Sequence, residues 1–372
     1  VKLLLFTERF RVVGAGLEND AVALCRELLR RGHEVHVCAE QGEERDGVQV
    51  HLGLENAAEL ETRLAPDLTI DWAFLRPADV HRIGGGVHRE FLRHAVLSIP
   101  LWRRWAKLLE YRCKAKHVQA CRREARILGN PASFHVPISH LVASQLVRSG
   151  IDDSRIEILY NGVDTNRFRP SHTTDARDAL RRQWQVPEQG TVLLLVANDL
   201  RLKNAAMLLR IGASLHGIDA GLRLVVVGKH APRLQAPWLV HQPTIHEIEH
   251  AYAAADLLVH PTLYDSFGNV VLEAMSCGKP VVVSDCAGVA EIVAAEGGGA
   301  VLGVQGPLAE QRWHETIASL IRDPERRHDL GTRGRMVAEN HTFTGLADQF
   351  EALLVRLAAS APRRRAVCEE DR

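Results

Sequence analysis

The sequence predicts an α/β protein made of two doubly wound domains. Three observations carry that expectation. The length of 372 residues suits two domains rather than one. The first forty residues alternate strand, glycine-bearing loop, amphipathic helix and strand. A second series of short apolar strands begins near Thr191 and continues past residue 300.

The elements follow in order. Lys2 to Phe6 is an apolar run that reads as a buried strand. Gly14 and Gly16 mark a loop, and Leu17 to Arg31 reads as a helix with Val22, Cys25, Leu28 and Leu29 on one face. Gly32 stops it, and Glu34 to Ala39 forms the next strand. Leu68 to Ile70 and Phe134 to Ile138 are weaker strands, which gives a first domain over residues 1–165. The joint, Tyr160 to Pro170, is rich in Asn, Gly, Asp and Pro and reads as loop. Residues 166–342 form the second domain, with strands at Thr191–Val196, Leu222–Val227, Leu257–His260, Val281–Ser284 and Ala300–Leu302. Phe343 to Leu357 is a last amphipathic helix, and residues 361–372 read as a charged, disordered tail.

Composition removes several function classes. The charge is balanced, with 46 Lys and Arg against 46 Asp and Glu, so bulk electrostatic binding of nucleic acid is not implied. The seven cysteines are scattered and include no Cys-x-x-Cys pair, which argues against a disulfide framework or zinc ribbon and fits a reducing compartment. The first ten residues lack the long apolar segment of a signal peptide, and no run of 18 apolar residues occurs. The expected location is therefore cytoplasmic.

The strongest motif runs from Asp265-Ser266-Phe267-Gly268-Asn269-Val270-Val271-Leu272-Glu273 through Gly278-Lys279-Pro280-Val281. A strand ends in a polar loop and a helix starts near Gly268. The first amides of such a helix suit a phosphate, and Gly268 permits close approach to the backbone. Two carboxylates bracket the helix start; they suit sugar hydroxyl groups rather than phosphate. An ordinary strand–helix turn with surface acids has the same spacing. A second segment, Asn198 to Asn204, places Arg201 and Lys203 after the Thr191 strand. Cations at the carboxyl end of a strand face the ligand crevice of an α/β sheet, where they can stabilise a departing diphosphate; solvated loop charges are the alternative.

Together these segments resemble the family 4 glycosyltransferases, whose signature is Glu, seven residues, Glu, then Ala-x-x-x-Gly-x-Pro-Val. Asp265 replaces the first Glu and Glu273 matches the second. Asn204 stands where the family usually has Gly. The resemblance implies the GT-B fold: two Rossmann-like domains facing a cleft, with residues 343–360 crossing back onto the first. It implies that Asp265 lies near the transferred sugar, that Glu273 holds the ribose, and that Arg201 and Lys203 hold the diphosphate. The amides of Phe267, Gly268, Asn269, Val270 and Val271 would face sugar and diphosphate. Ile158 to Pro170 resembles the family's interdomain loop. Gly14-Ala15-Gly16 fails as a dinucleotide fingerprint, because Asn19 stands where a third Gly is needed. It fits the family's N-terminal glycine loop, with Gly16 near the donor and Asp20 behind it.

Asp79 to Arg89 further resembles the subgroup that glucosylates the lipopolysaccharide inner core, with His81 in place of an aromatic residue and His88 as a donor-sugar contact. From His88 to Arg126 eleven Lys and Arg stand against three Glu, interleaved with Phe91, Trp102, Trp105 and Tyr111. Such helices suit an anionic membrane surface, here the inner membrane; a solvated helix pair with inward aromatics is the alternative. The resemblance implies a retaining hexosyltransferase that moves glucose from UDP-glucose to a glycan or lipid-linked acceptor such as lipopolysaccharide core. It uses no cofactor and no metal, and no Asp-x-Asp motif is present. Three other classes remain open. His246-Glu247-Ile248-Glu249-His250 spells a zinc-hydrolase motif, with Glu273 as a third ligand. The other two are a GT-B nucleotide-sugar epimerase and a non-catalytic binding module.

Overall fold

The computed structural model describes residues 1–11, 16–44, 46–72, 74–99, 101–170, 174–245 and 247–370. It divides into two units, Val1–Gly162 with Phe343–Arg372, and Val163–Thr342.

The first unit contains strands β1 (Lys2–Phe10), β2 (Glu34–Gly42), β3 (Gln49–Leu52), β4 (Leu68–Asp71), β5 (Val80–Ile83) and β6 (Phe134–Pro137). Its helices are α1 (Gly16–Arg30), α2 (Ala57–Leu64), α3 (His88–Leu97), α4 (Leu101–Cys113), α5 (Ala115–Leu128) and α6 (His140–Arg148). The second unit contains α7 (Thr174–Gln183), β7 (Val192–Val196), α8 (Ala205–His216), β8 (Arg223–Val227), β9 (Leu239–Gln242), α9 (Ile248–Ala254), β10 (Leu257–His260), α10 (Asn269–Ser276), β11 (Val281–Ser284), α11 (Ala290–Glu296), β12 (Gly299–Leu302), α12 (Ala309–Arg322) and α13 (Pro324–Asn340). The chain closes with α14 (Phe343–Glu370).

Each unit holds one six-stranded sheet, ordered β3-β2-β1-β4-β5-β6 and β12-β11-β10-β7-β8-β9. The pairings are parallel throughout. Both orders are the doubly wound 3-2-1-4-5-6 arrangement of a Rossmann-like sheet. Helices on both faces bury the strands, which explains the continuous apolar runs in β7, β8 and β11. The crevice of such a sheet opens at the carboxyl ends of the two strands where the order reverses, β1 and β4 in one unit and β7 and β10 in the other.

Helix α14 belongs to the first unit although it is last in sequence. Phe350, Leu353, Leu354 and Leu357 enter the core beneath α1. Arg31 Nη1 donates to Asp348 at 2.5 Å and to Glu351 at 2.8 Å. The helix continues to Glu370, where a disordered tail was expected. Seven of the ten residues from 361 to 370 are Ala, Arg or Glu, good helix formers, and Pro362 is the one residue there that opposes helix strongly.

Three strands had no clear sequence signal. In β5, His81 and Arg82 are fully buried, which breaks the apolar pattern of a central strand. The start of α3 is capped from two other helices. Gln145 Oε1 accepts from Val87 N at 2.9 Å, and the Glu124 carboxylate accepts from His88 N at 2.8 and 3.0 Å.

Candidate active site

The reversal of strand order in the second unit brings two distant loops together. The loop after β7 carries Asp199 to Asn204 and the loop after β10 carries Pro261 to Gly268. Asp199 organises the first: its carboxylate accepts from the amides of Arg201 and Leu202, both at 3.0 Å. Asn204 then adopts φ +52°, a left-handed conformation, at the start of α8. That geometry accounts for the family's usual Gly at this position, and Asn is among the side chains that tolerate it best. Leu263 N donates to Leu202 O at 2.8 Å, and Thr262 Oγ1 donates to the same carbonyl at 3.1 Å, tying the two loops together.

Across that junction Lys203 Nζ donates to Asp265 Oδ2. The same oxygen receives His260 Nε2 at 3.1 Å. Burial alone would raise the Asp265 pKa; Lys203 and His260 outweigh it and hold the carboxyl well below the usual range. His260 is lowered, by burial first and then by Lys203. It is therefore neutral, with Nε2 as the donor. The backbone of Asp265 is braced as well, donating to Cys286 O at 3.0 Å and accepting from Gly288 N at 3.1 Å.

Gly268 completes the cluster at the N-terminus of α10 with φ +100°. A methyl group there would lie 3.6 Å from both Asp265 Oδ2 and His260 Nε2 and 3.3 Å from Val289. Glycine is favoured here by its conformation; the contacts alone would ask only a small shift of Val289. Phe267 and Val271 turn their side chains into the core, so they can contribute to a ligand only through their amides. Asn269 and Val270 are half-buried at the head of the helix. One turn on, Glu273 Oε2 accepts from the buried hydroxyl of Tyr252 at 2.6 Å.

The structure thus brings Lys203, Asp265, Phe267 and Gly268 together, with Glu273 on the same short helix and Arg201 exposed on the neighbouring loop. It adds His260, a histidine ending an apolar strand five residues before Asp265; that isolated polar residue was the available signal. Tyr252 also joins, and nothing in its alanine-rich surroundings announced it.

The N-terminal candidates are placed differently. Gly14 and Ala15 lie outside the described residues, and Gly16 opens α1. Asp20 is buried and its charge acts on the buried Arg82. Arg82 in turn donates to Leu159 O at 2.6 Å and Asn161 Oδ1 at 2.9 Å. Burial pulls the Arg82 pKa down to about 10, with Asp20 opposing. That is a reason internal to the fold for an acid on α1. The His88 ring is engaged by His117, with Nε2 3.0 Å from its Nδ1, and stacks near Phe91.

The zinc motif lies only partly within the described residues. Helix α9 begins at Ile248 with Glu247 as its N-cap residue, so the motif's Glu precedes the helix, and His246 lies outside the described residues. Glu249 is paired with Arg167 and Glu273 with Tyr252. Among the described residues no three His, Cys, Asp or Glu side chains are grouped to hold a metal.

Comparison with known proteins identifies the family. The family model "Glycosyl transferases group 1" matches residues 176–337, and "Glycosyltransferase Family 4" matches residues 14–167. The chain belongs to the family 4 glycosyltransferases. The D-inositol 3-phosphate glycosyltransferase of Segniliparus rotundus is 30% identical over 234 residues, covering 57% of this chain and 50% of that one. The D-inositol 3-phosphate glycosyltransferase 1 of Catenulispora acidiphila is 34% identical over 210 residues, covering 50% and 48%. The chain thus spans about half the length of the curated relatives it matches. Among solved structures, WaaG, a glycosyltransferase involved in lipopolysaccharide biosynthesis, aligns with TM-score 0.75 and 19% identity over 95% of this chain and 99% of that one. Anabaena HepE in complex with UDP aligns with TM-score 0.74 and 17% identity over 96% and 100%. These likenesses show the GT-B fold of this glycosyltransferase.

Two substitutions test the cluster. Lys203→Ala is expected to lower turnover in a donor-consumption assay by ~100-fold or more, the scale of losing one charge-stabilising group; near-normal turnover refutes its assignment. Asp265→Ala is expected to abolish transfer while UDP affinity, read by calorimetry, is retained. Loss of UDP binding would instead make Asp265 a nucleotide ligand.

Proposed function

We propose that this glycosyltransferase moves a hexose, glucose in the first instance, from a UDP-sugar to a glycan or lipid-linked acceptor such as lipopolysaccharide core, with retention of configuration. The observation that carries the reading is the Lys203–Asp265–Gly268 cluster at the strand reversal of the second unit. In this reading the diphosphate meets Lys203, Arg201 and the first amides of α10, which stabilise charge as the nucleotide departs. Asp265 accepts hydrogen bonds from the transferred sugar and Glu273 from the ribose. The leaving diphosphate deprotonates the acceptor hydroxyl on the same face, and no divalent cation is needed. The named ligands of Anabaena HepE, UDP and UDP-glucose, support the choice of donor. WaaG supports a lipopolysaccharide acceptor, and the inositol phosphate relatives supply the competing acceptor to test.

A thermal-shift screen against nucleotide-sugars, with and without chelator, is the primary test. A ligand of the native state raises the melting temperature, by linkage of about 2.7 kcal/mol at a hundredfold excess over Kd. Stabilisation by UDP-glucose that survives chelator is expected; stabilisation lost with chelator overturns the metal-free mechanism. UDP release is then expected only with an acceptor present. Conversion of the donor without acceptor identifies an epimerase, and binding without turnover on any acceptor a binding module.

The basic segment supports a membrane-bound acceptor. Trp102 and Trp105 on α4 are 72% and 69% exposed, beside the exposed Leu101, so these aromatics do not pack inward. Arg103 stacks over Trp102 at 5.2 Å, and cations follow along α4 and α5. No helix among the described residues is long and apolar enough to cross a membrane. Helix α4 fits an interfacial position, apolar side down among anionic headgroups. The protein is expected to float with vesicles containing phosphatidylglycerol, and Trp102→Ser with Trp105→Ser to lose most of that binding. Undiminished flotation of the double variant removes α4 from the contact.

A further inference from the structure

The site contains a second carboxylate whose surroundings are unlike those of Asp265. Glu273 lies on α10 and Tyr252 on α9, and the Tyr252 hydroxyl donates to Glu273 Oε2 at 2.6 Å. Tyr252 is fully buried between alanines, and its ring packs edge-on to Phe168 with centroids 6.0 Å apart. A tyrosine hydroxyl buried to this extent needs a partner, and among the described residues Glu273 is the one it has. No other hydrogen bond reaches the Glu273 carboxylate from the described residues.

We propose that Tyr252 is a positioning residue for the donor: it fixes one oxygen of Glu273 so that the other faces the vicinal hydroxyls of the ribose. The inference rests on the donor-site reading above. The neighbouring charges explain why a neutral hydroxyl has this task. Arg167 faces Glu273, but its guanidinium is committed to Glu249, with Nε and Nη2 at 3.1 and 2.9 Å from the same oxygen, and it lies over the Phe168 ring. Glu249 opposes a charge on Glu273, and the Cys277 thiol at the end of α10 is held neutral by burial, pushed up to about 12. Burial raises the Glu273 pKa; the Tyr252 hydroxyl is the largest influence that lowers it, followed by Arg167. A protonated Glu273 would have one fewer acceptor to offer the ribose. Tyr252 therefore sets both the rotamer and the charge of the residue that grips the nucleoside.

The backbone supports this arrangement. Ser276 Oγ donates to Phe168 O at 2.5 Å, and Arg335 Nη1 donates to Phe168 O at 2.9 Å and to Ser276 O at 2.8 Å. These bonds lock the segment bearing Arg167 and Phe168 to the end of α10, so Tyr252 is held against a fixed wall.

The experiment measures affinity for UDP-glucose, whose diphosphate diester does not titrate near neutrality, as a function of pH in wild type, Tyr252→Phe, Glu273→Gln and the double variant. Wild-type binding is expected to weaken on the acid side, where Glu273 protonates. Tyr252→Phe retains the ring and is expected to weaken binding by about tenfold or more, the scale of one hydrogen bond to a charged group. It also moves the acid limb to higher pH, because the raised pKa of Glu273 rises further. At saturating donor its kcat stays within a few-fold of wild type. Glu273→Gln removes the acid limb, and the double variant matches it, because the hydroxyl acts through the carboxylate. If Tyr252→Phe binds with wild-type affinity and pH profile, Tyr252 is a packing residue only. Should that variant not fold, identical profiles for wild type and Glu273→Gln overturn the proposal by themselves. Absence of UDP-glucose binding in wild type removes the donor reading and this inference with it.

Discussion

The second unit of this protein depends on β7 and β10 lying side by side. A parallel sheet wound in both directions must place its first and fourth strands as neighbours. That topology carries Lys203 and Asp265, more than sixty positions apart, to one salt bridge at the carboxyl end of the sheet. Neither charge could be placed there alone. A charge removed from water without its partner is strongly destabilising, and loss of one member of a buried pair typically costs about 3–5 kcal/mol. His260 satisfies the carboxylate further while remaining neutral, so the cluster gains a hydrogen bond without a third charge.

Around this pair the backbone does as much as the side chains. Asn204 and Gly268 both adopt left-handed conformations at the heads of the helices that follow β7 and β10. Each lies eight residues past the end of its strand, at the position immediately before the helix begins. Helix α13 then presses against α10 through glycines. A methyl on Gly331 would lie 2.1 Å from Gly278 O. Helix α10 is short, and contact on that side together with the Arg335 bonds to Phe168 and Ser276 holds its orientation.

The sequence made the second unit more legible than the first for a physical reason. Its central strands are buried on both faces and contain almost nothing but Val and Leu, so β7, β8, β10 and β11 stand out as apolar runs. In the first unit β5 carries His81 and Arg82 inward, one against Asp71 and the other against Leu159 and Asn161. Periodicity cannot distinguish such buried polar residues from surface ones. The same limit applied to the site. Asp265, Lys203 and Gly268 were readable because loop chemistry and family resemblance converge on them. Asp20 and His88 were read as donor-side residues from the family resemblance, and the structure gives each a partner inside its own unit. Tyr252 and His260 act through contacts between elements, which a linear pattern does not encode.

The two carboxylates beside α10 are driven in opposite directions, and this bears on the chemistry. Asp265 sits against a cation and is held ionised; burial pushes Glu273 toward protonation, and the Tyr252 hydroxyl only partly opposes it. Environments that separate two acids in this way usually separate their roles. A carboxylate held far below its ordinary pKa is a weak base, because proton transfer to it is uphill at neutral pH. Asp265 is therefore suited to accepting hydrogen bonds from a sugar and to balancing Lys203, and poorly suited to deprotonating an acceptor alcohol. The ring beside it among the described residues, His260, is buried, neutral and already donating to it. The proposed mechanism therefore takes the departing diphosphate, rather than Asp265, as the base. In that proposal the proton transfer falls on the face of the sugar that the leaving group vacates, as retention of configuration requires.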